Sequence, residues 1–311
     1  DNHPALKRIF DQRTNKLFYN LNYQLNEGGY LTHAPEALIA LLNKEYKALT
    51  GRLLIETSAE HQQYESSEEF DLDWLERKTL WPREDLEELI GALKGDSPQI
   101  VLSGPPGTSK TWVAKHLATH LTRGQPEACR MVQFHPSYGY EEFVEGLRPV
   151  AIEGGIDFRV EPGVIRNISQ VMSEKTLTLA VLVIDEMNRA NLPRVFGELM
   201  YLFEYRDQDI DLQFTQDFSL PGGLKFIGTM NTADRSIRSI DIALRRRFDV
   251  FECNPDIGIL KRFYEKPENK NEVGDQLFEG IEKLNEKLLN ELDRHHTIGH
   301  TFFMSSRMTQ E

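Results

Sequence analysis

The chain has 311 residues, a formal net charge of −13 and a 40% hydrophobic share. That length predicts roughly two domains with ample material for a buried core, and the acidic balance argues against a broad nucleic-acid surface on this chain alone, though not against a local basic pore in an assembly. No apolar run approaches the length of a membrane-spanning helix, and two cysteines, Cys129 and Cys253, cannot build a disulfide framework or a zinc site, so a reducing cytoplasm is expected.

The start, Asp1-Asn2-His3-Pro4, has no basic region followed by an apolar one, so no signal peptide is expected, and the missing Met reads as a trimmed start. Residues 1–55 look helical: over 36–49, Leu38, Leu41, Leu42 and Tyr46 fall on one face. No chemical motif occurs there, which suits a structural or adaptor segment. Residues 56–76 carry eight carboxylates, from Glu56 to Glu76, and no Lys or Arg, the composition of a solvated linker. An N-terminal helical segment with an acidic linker is therefore expected over residues 1–78.

Pro82, after Trp81, opens a helix whose stripe is Leu86, Leu89, Ile90 and Leu93, and Gly95-Asp96-Ser97-Pro98 ends it. From Ile100 onward apolar strands alternate with helical stretches, the α/β pattern of a parallel sheet flanked by helices. Strands are expected at 100–103, 131–135, 180–184 and 226–229. Two interruptions read as hairpins. In the first, Val150 and Ile152 alternate, Glu153-Gly154-Gly155 turns, and Ile156, Phe158 and Val160 alternate again. In the second, Ile210, Leu212 and Phe214 are followed by Phe218 and Leu220. Such hairpins either cover the sheet or project toward a pore or partner. After Phe251, Asn254-Pro255-Asp256 breaks the chain, and Leu277, Ile281, Leu284, Leu288 and Leu292 mark a long amphipathic helix. Thr301-Phe302-Phe303-Met304 reads as a strand. The expected division is a large nucleotide-binding domain over 79–253 and a small helical lid over 254–311, cut short by the chain end.

Four motifs carry chemistry. Ser103-Gly104-Pro105-Pro106-Gly107-Thr108-Ser109-Lys110-Thr111 lies between an apolar strand and a helical run starting at Trp112, the layout of a phosphate-binding P-loop. Residues Gly104, Pro105, Pro106, Gly107, Thr108, Ser109, Lys110, Thr111 and Trp112 form the expected nucleotide-binding stretch. Lys110 would reach the β- and γ-phosphates and Thr111 would ligate Mg2+. Ser109 replaces the second Gly of the pattern; right-handed helical angles, which Ser tolerates, are expected there, with slowed turnover.

The second motif is the apolar strand ending in Asp185-Glu186. Asp185 would hold Mg2+ and Glu186 would activate the attacking water, where the bland alternative is a solvated strand end. The third is Thr229-Met230-Asn231-Thr232-Ala233-Asp234-Arg235: Asn231 at a strand tip would position the water, and Asp234 with Arg235 reads either as part of the nucleotide site or as a structural ion pair. The fourth is Arg245-Arg246-Arg247. It is either a surface basic cluster or an arginine finger reaching a neighbouring subunit's nucleotide.

These features together resemble an AAA+ ATPase module. More specifically, Val132-Gln133-Phe134-His135-Pro136-Ser137-Tyr138-Gly139-Tyr140-Glu141-Glu142-Phe143, Ile184-Asp185-Glu186-Met187-Asn188-Arg189-Ala190-Asn191 and Met230-Asn231-Thr232-Ala233-Asp234-Arg235-Ser236 resemble the McrB family, the motor subunits of methylation-dependent restriction systems. The resemblance covers residues 80–303. It implies GTP as substrate, a hexameric ring, a McrC-like nuclease partner and translocation along DNA in antiviral restriction. It also implies that Asn231, Asp234 and Arg235 match the family signature and that Arg246 and Arg247 match the finger region, with Arg245 left open. The alternative is a MoxR-like, ATP-dependent protein remodeller. The family's DNA-reading domain precedes its motor, but the segment ahead of the motor here is acidic and lacks a basic aromatic face.

Overall fold

A computed structural model describes residues 69–152, 155–206, 208–233, 242–269 and 275–304. The expected helix over 36–49, the first part of the acidic stretch, the tip of the first hairpin, and Asp234 and Arg235 lie outside these residues.

The strands are β1 (Gln99–Gly104), β2 (Cys129–Gln133), β3 (Glu145–Ile152), β4 (Gly155–Pro162), β5 (Ala180–Asp185), β6 (Asp209–Ile210), β7 (Phe218–Ser219), β8 (Leu224–Asn231) and β9 (Asp249–Glu252). Five of them form one sheet in the order β2-β5-β8-β1-β9, with every neighbouring pair parallel. β1 and β5 are buried along their whole length, as strands covered on both faces must be.

Alternation along each strand divides the core in two. Val101, Leu182, Ile184 and Phe226 face a cluster with Phe143, Ile165, Phe196 and Phe248. Ile100, Leu102, Val181, Val183 and Ile227 face the opposite cluster, built with Trp74, Leu86, Leu89, Val113 and Leu117. The second cluster holds the helix Leu72–Thr79, the helix Arg83–Lys94 and the helix Lys110–Leu121 against the sheet. Asp71 caps the first of these, its side chain accepting from the Trp74 N–H at 2.7 Å.

Register fixes the site. Gly104 at the end of β1 lies level with Asn231 at the end of β8, and Ile184 of β5 lies level with Gly228. The P-loop, Asp185 and Asn231 therefore emerge side by side from the carboxyl ends of three adjacent strands, where open parallel sheets place their ligands.

Four local expectations are corrected. β2 ends at Gln133, before His135; the main chain continues to pair, with Phe134 N–H donating to Asp185 O at 2.9 Å. The second hairpin has two-residue strands, because Leu212 turns into the core and donates to Thr215 O at 2.8 Å. The helix Asp275–Glu291 buries Phe278 and Ile281, while Leu284 and Leu292 are exposed. Residues His300–Phe303 form a 3-10 turn, not a strand, and dock on the P-loop. The strand β9, beside β1, was not expected. The helical C-terminal region, with the helix Ile257–Glu265 and the helix Asp275–Glu291, has its own small cluster of Leu260, Tyr264, Phe278 and Ile281.

Candidate active site

The turn from β1 into the helix Lys110–Leu121 contains two residues with left-handed backbone angles, Gly107 at φ 80° and Ser109 at φ 64°. Glycine has no Cβ and adopts this region freely; a serine does not. The expectation of right-handed helical angles at Ser109 is thus overturned. The turn that precedes Lys110 keeps the shape a glycine would give it, although a side chain is present.

Lys110 is buried, and its ammonium donates to Pro105 O at 2.6 Å and to Thr108 Oγ1 at 3.3 Å. Burial pushes its pKa down to about 8, opposed by Cys253, Glu186 and Asp185. A polyphosphate brought to this loop would favour the charged form further. Trp112, one turn along, is exposed; its indole donates to Lys78 O at 2.8 Å and its ring lies 4.1 Å from that of His116.

Asp185 receives two hydroxyls on one oxygen: Thr111 Oγ1 donates to Oδ1 at 2.6 Å and Thr229 Oγ1 at 2.7 Å. Thr229, which also accepts from the Glu186 N–H at 3.2 Å, opens the third motif but was given no role by sequence reasoning. Its signal was available: a hydroxyl two positions before Asn231 on the same apolar strand. Glu186 sits in the left-handed region at φ 53°. Its two carboxylate oxygens accept from Asn231 Nδ2 and, at 3.1 Å, from Arg189 Nε. A non-glycine residue held at such angles concentrates at functional sites.

Beyond Asn231, the Asn188 amide donates to Asn231 O at 2.9 Å, while Asn188 Oδ1 and Thr232 Oγ1 are buried with no hydrogen-bond partner. Buried polar atoms are nearly always paired, so two orphans flanking Asn231 fit a site built for a polar ligand. The oxygen donors of Thr111 and Asp185 suit Mg2+. Among the described residues no group of at least 3 His, Cys, Asp or Glu side chains could hold a metal ion.

The arginine cluster divides. Arg245 and Arg246 are exposed, whereas Arg247 is half-buried and donates to Glu204 at 2.8 Å. Near the end of the described residues, His296 pairs with Asp293 at 2.6 Å and His300 is buried against the P-loop. Tyr138 and Tyr140 pack against the core.

Comparison with known proteins places these elements. The AAA domain family (dynein-related subfamily) matches residues 99–248. The chain is 30% identical over 315 residues to the EcoKMcrB subunit of a type IV methyl-directed restriction enzyme from Escherichia coli K12, covering 96% of this chain and 66% of that protein. It is 25% identical over 187 residues to component YdiS of the type II restriction enzyme BsuMI from Bacillus subtilis 168, covering 48% of this chain and 54% of that protein. The chain thus spans just under two thirds of the first relative, and its match spans about half of the second.

Proposed function

Because the chain belongs to the McrB family of AAA+ proteins, we propose that it is a nucleoside triphosphatase acting on GTP, and the motor subunit of a restriction complex. The observation that carries this reading is the set Thr111, Asp185, Thr229, Glu186 and Asn231, linked by hydrogen bonds between the ends of β5 and β8 and the first turn of the helix after the P-loop. A hydroxyl and a carboxylate side by side, with a second carboxylate one residue on, is what phosphoryl transfer to water requires.

In the proposed reaction the residues take these roles. Backbone N–H groups of residues 107–111 and the amino end of the helix Lys110–Leu121 cradle the phosphates. The Lys110 ammonium exchanges Pro105 O and Thr108 for β- and γ-phosphate oxygens. Thr111 and Asp185 would hold Mg2+, which when bound neutralises charge on those phosphates. Glu186 accepts a proton from the attacking water. Asn231, bonded to Glu186, holds that carboxylate in place and orients the water. Trp112 is assigned to the nucleotide-binding stretch with the P-loop, and Asp234 and Arg235, which lie outside the described residues, are assigned to nucleotide binding by the family signature alone.

The exposed Arg246 acts as a finger in the site of a neighbouring copy, with Arg247 beside it. This reading makes the assembly a homo-oligomeric ring, six-membered by family resemblance. A McrC-like nuclease subunit engages the ring, and turnover drives translocation along DNA. Restriction enzymes from which two relatives take their names support the context. In this scheme residues 79–253 are the nucleotide-binding domain and 254–311 the lid, with residues 1–78 ahead of them. No helix among the described residues is long and apolar enough to cross a membrane.

The test is nucleotide preference. The purified chain, alone and with the product of its adjacent gene, is assayed for GTP and ATP turnover. GTP hydrolysis that rises with the partner is expected. Hydrolysis of ATP with GTP ignored would overturn the assignment and favour the MoxR-like remodeller.

A further inference from the structure

Ser109 holds a conformation that its own side chain disfavours, and the reason lies 191 residues further along the chain. Its hydroxyl is 2.7 Å from His300 Nε2. The Asp256 N–H donates to the other ring nitrogen, Nδ1, at 3.2 Å. Nδ1 is therefore the acceptor, Nε2 carries the proton, and the neutral ring donates to Ser109 Oγ. His300 is 1% exposed, and burial pushes its pKa down to about 4, which keeps the ring neutral at pH 7.

The residues on either side of His300 grip the same loop. Thr301 donates from both its N–H and its hydroxyl to Gly107 O, each at 2.9 Å. Gly299 approaches so closely that a Cβ there would lie 2.1 Å from Gly107 C and O. Three consecutive residues thus touch both left-handed positions of the P-loop. The contact is specific to serine at position 109, because a glycine would offer no hydroxyl and need no support.

We propose that His300 is a positioning residue for the phosphate loop: by hydrogen-bonding Ser109 it holds the turn before Lys110 in the shape a glycine would adopt freely, and so ties nucleotide binding to the C-terminal helical region. The effect on nucleotide rests on the P-loop reading above; the effect on the loop does not.

The experiment is a double-mutant cycle on the full chain, read by melting temperature and by affinity for a fluorescent GTP analogue. His300→Ala should lower the melting temperature by about 2–4 °C more in the Ser109 background than in Ser109→Gly. It should weaken the analogue about fivefold with Ser109 present and leave affinity unchanged in the Ser109→Gly background. His300→Gln, whose amide can donate to Ser109, should retain most of both. Ser109→Ala keeps the unfavourable angles and loses the bond, so it should melt lower than the parent; this arm stands even if His300→Ala fails to fold. Equal losses from His300→Ala in both backgrounds, or a Ser109→Ala chain as stable as the parent, would overturn the proposal. Absence of any analogue binding, with thermal coupling intact, would remove the P-loop reading and leave the positioning role standing.

Discussion

At Asp185 one carboxylate oxygen collects two hydroxyl protons, and at Glu186 the next residue spreads its two oxygens between an amide and a guanidinium. The first arrangement is compact and hard, suited to a small divalent cation; the second leaves a carboxylate aimed by Asn231. His300 offers a titration that separates folding from chemistry. Its folded pKa of about 4 lies below the ordinary 6.5 because burial disfavours the cation, with Arg262 and Lys110 acting in the same direction and Asp256 against. Between these values the unfolded chain takes a proton that the folded chain refuses. Stability from this group is complete above pH 6.5 and is lost as pH falls toward 4, by at most about 1.4 kcal/mol per pH unit. Thermal melts from pH 7.5 to 4.5 should therefore fall more steeply for the parent than for His300→Gln, which has no proton to gain. Parallel slopes would mean that His300 titrates normally in the folded chain.

At the scale of elements, the two hairpin insertions are held together by one buried carboxylate. Glu145, at the base of β3, is fully buried; Oε1 accepts from the N–H groups of Phe214 and Thr215, and Oε2 accepts from Arg166 at 2.8 Å and Thr215 Oγ1 at 2.5 Å. Glu145→Ala strands Arg166 and the loop after β6 and should cost on the order of 3 kcal/mol. Calorimetry reads this directly; a change within a few tenths would show that the carboxylate is not what holds the loop. Beyond this lock, β3 and β4 pair Leu147 with Val160, Pro149 with Phe158 and Ala151 with Ile156, an apolar row of which Ile156 and Phe158 are strongly exposed.

The central strands were legible because strands buried on both faces must be continuous apolar runs, as Ala180 to Ile184 is. β9 was not, since Asp249-Val250-Phe251-Glu252 is four residues at a sheet edge with a charge at each end. The candidate site was legible where chemistry requires fixed residue types at fixed spacing, at Lys110, Thr111, Asp185, Glu186 and Asn231. Ser109 and His300 escaped because nothing local in a serine signals left-handed angles, and their contact joins distant parts of the chain. Thr301-Phe302-Phe303 has strand-like composition, but its N–H groups and hydroxyl find the P-loop and not a sheet.

At the scale of the whole molecule, the site as one chain builds it has a cation, a carboxylate pair and a positioning amide, and two further exposed arginines, Arg245 and Arg246, follow Leu244. Arg247 is engaged with Glu204 on its own chain, while Arg245 and Arg246 are both exposed, and the family resemblance matches Arg246 to the finger region. In the proposed ring each nucleotide is therefore shared, with Lys110 on one side of the interface and Arg246 on the other. The direct measurement is GTP hydrolysis by mixtures of two variants, Arg246→Ala and Lys110→Ala, each inactive alone. In an equal mixture that assembles at random, about a quarter of the interfaces join an intact Lys110 to an intact Arg246. Recovery of hydrolysis is the predicted result, and no recovery in mixed rings shown to assemble would contradict the shared site.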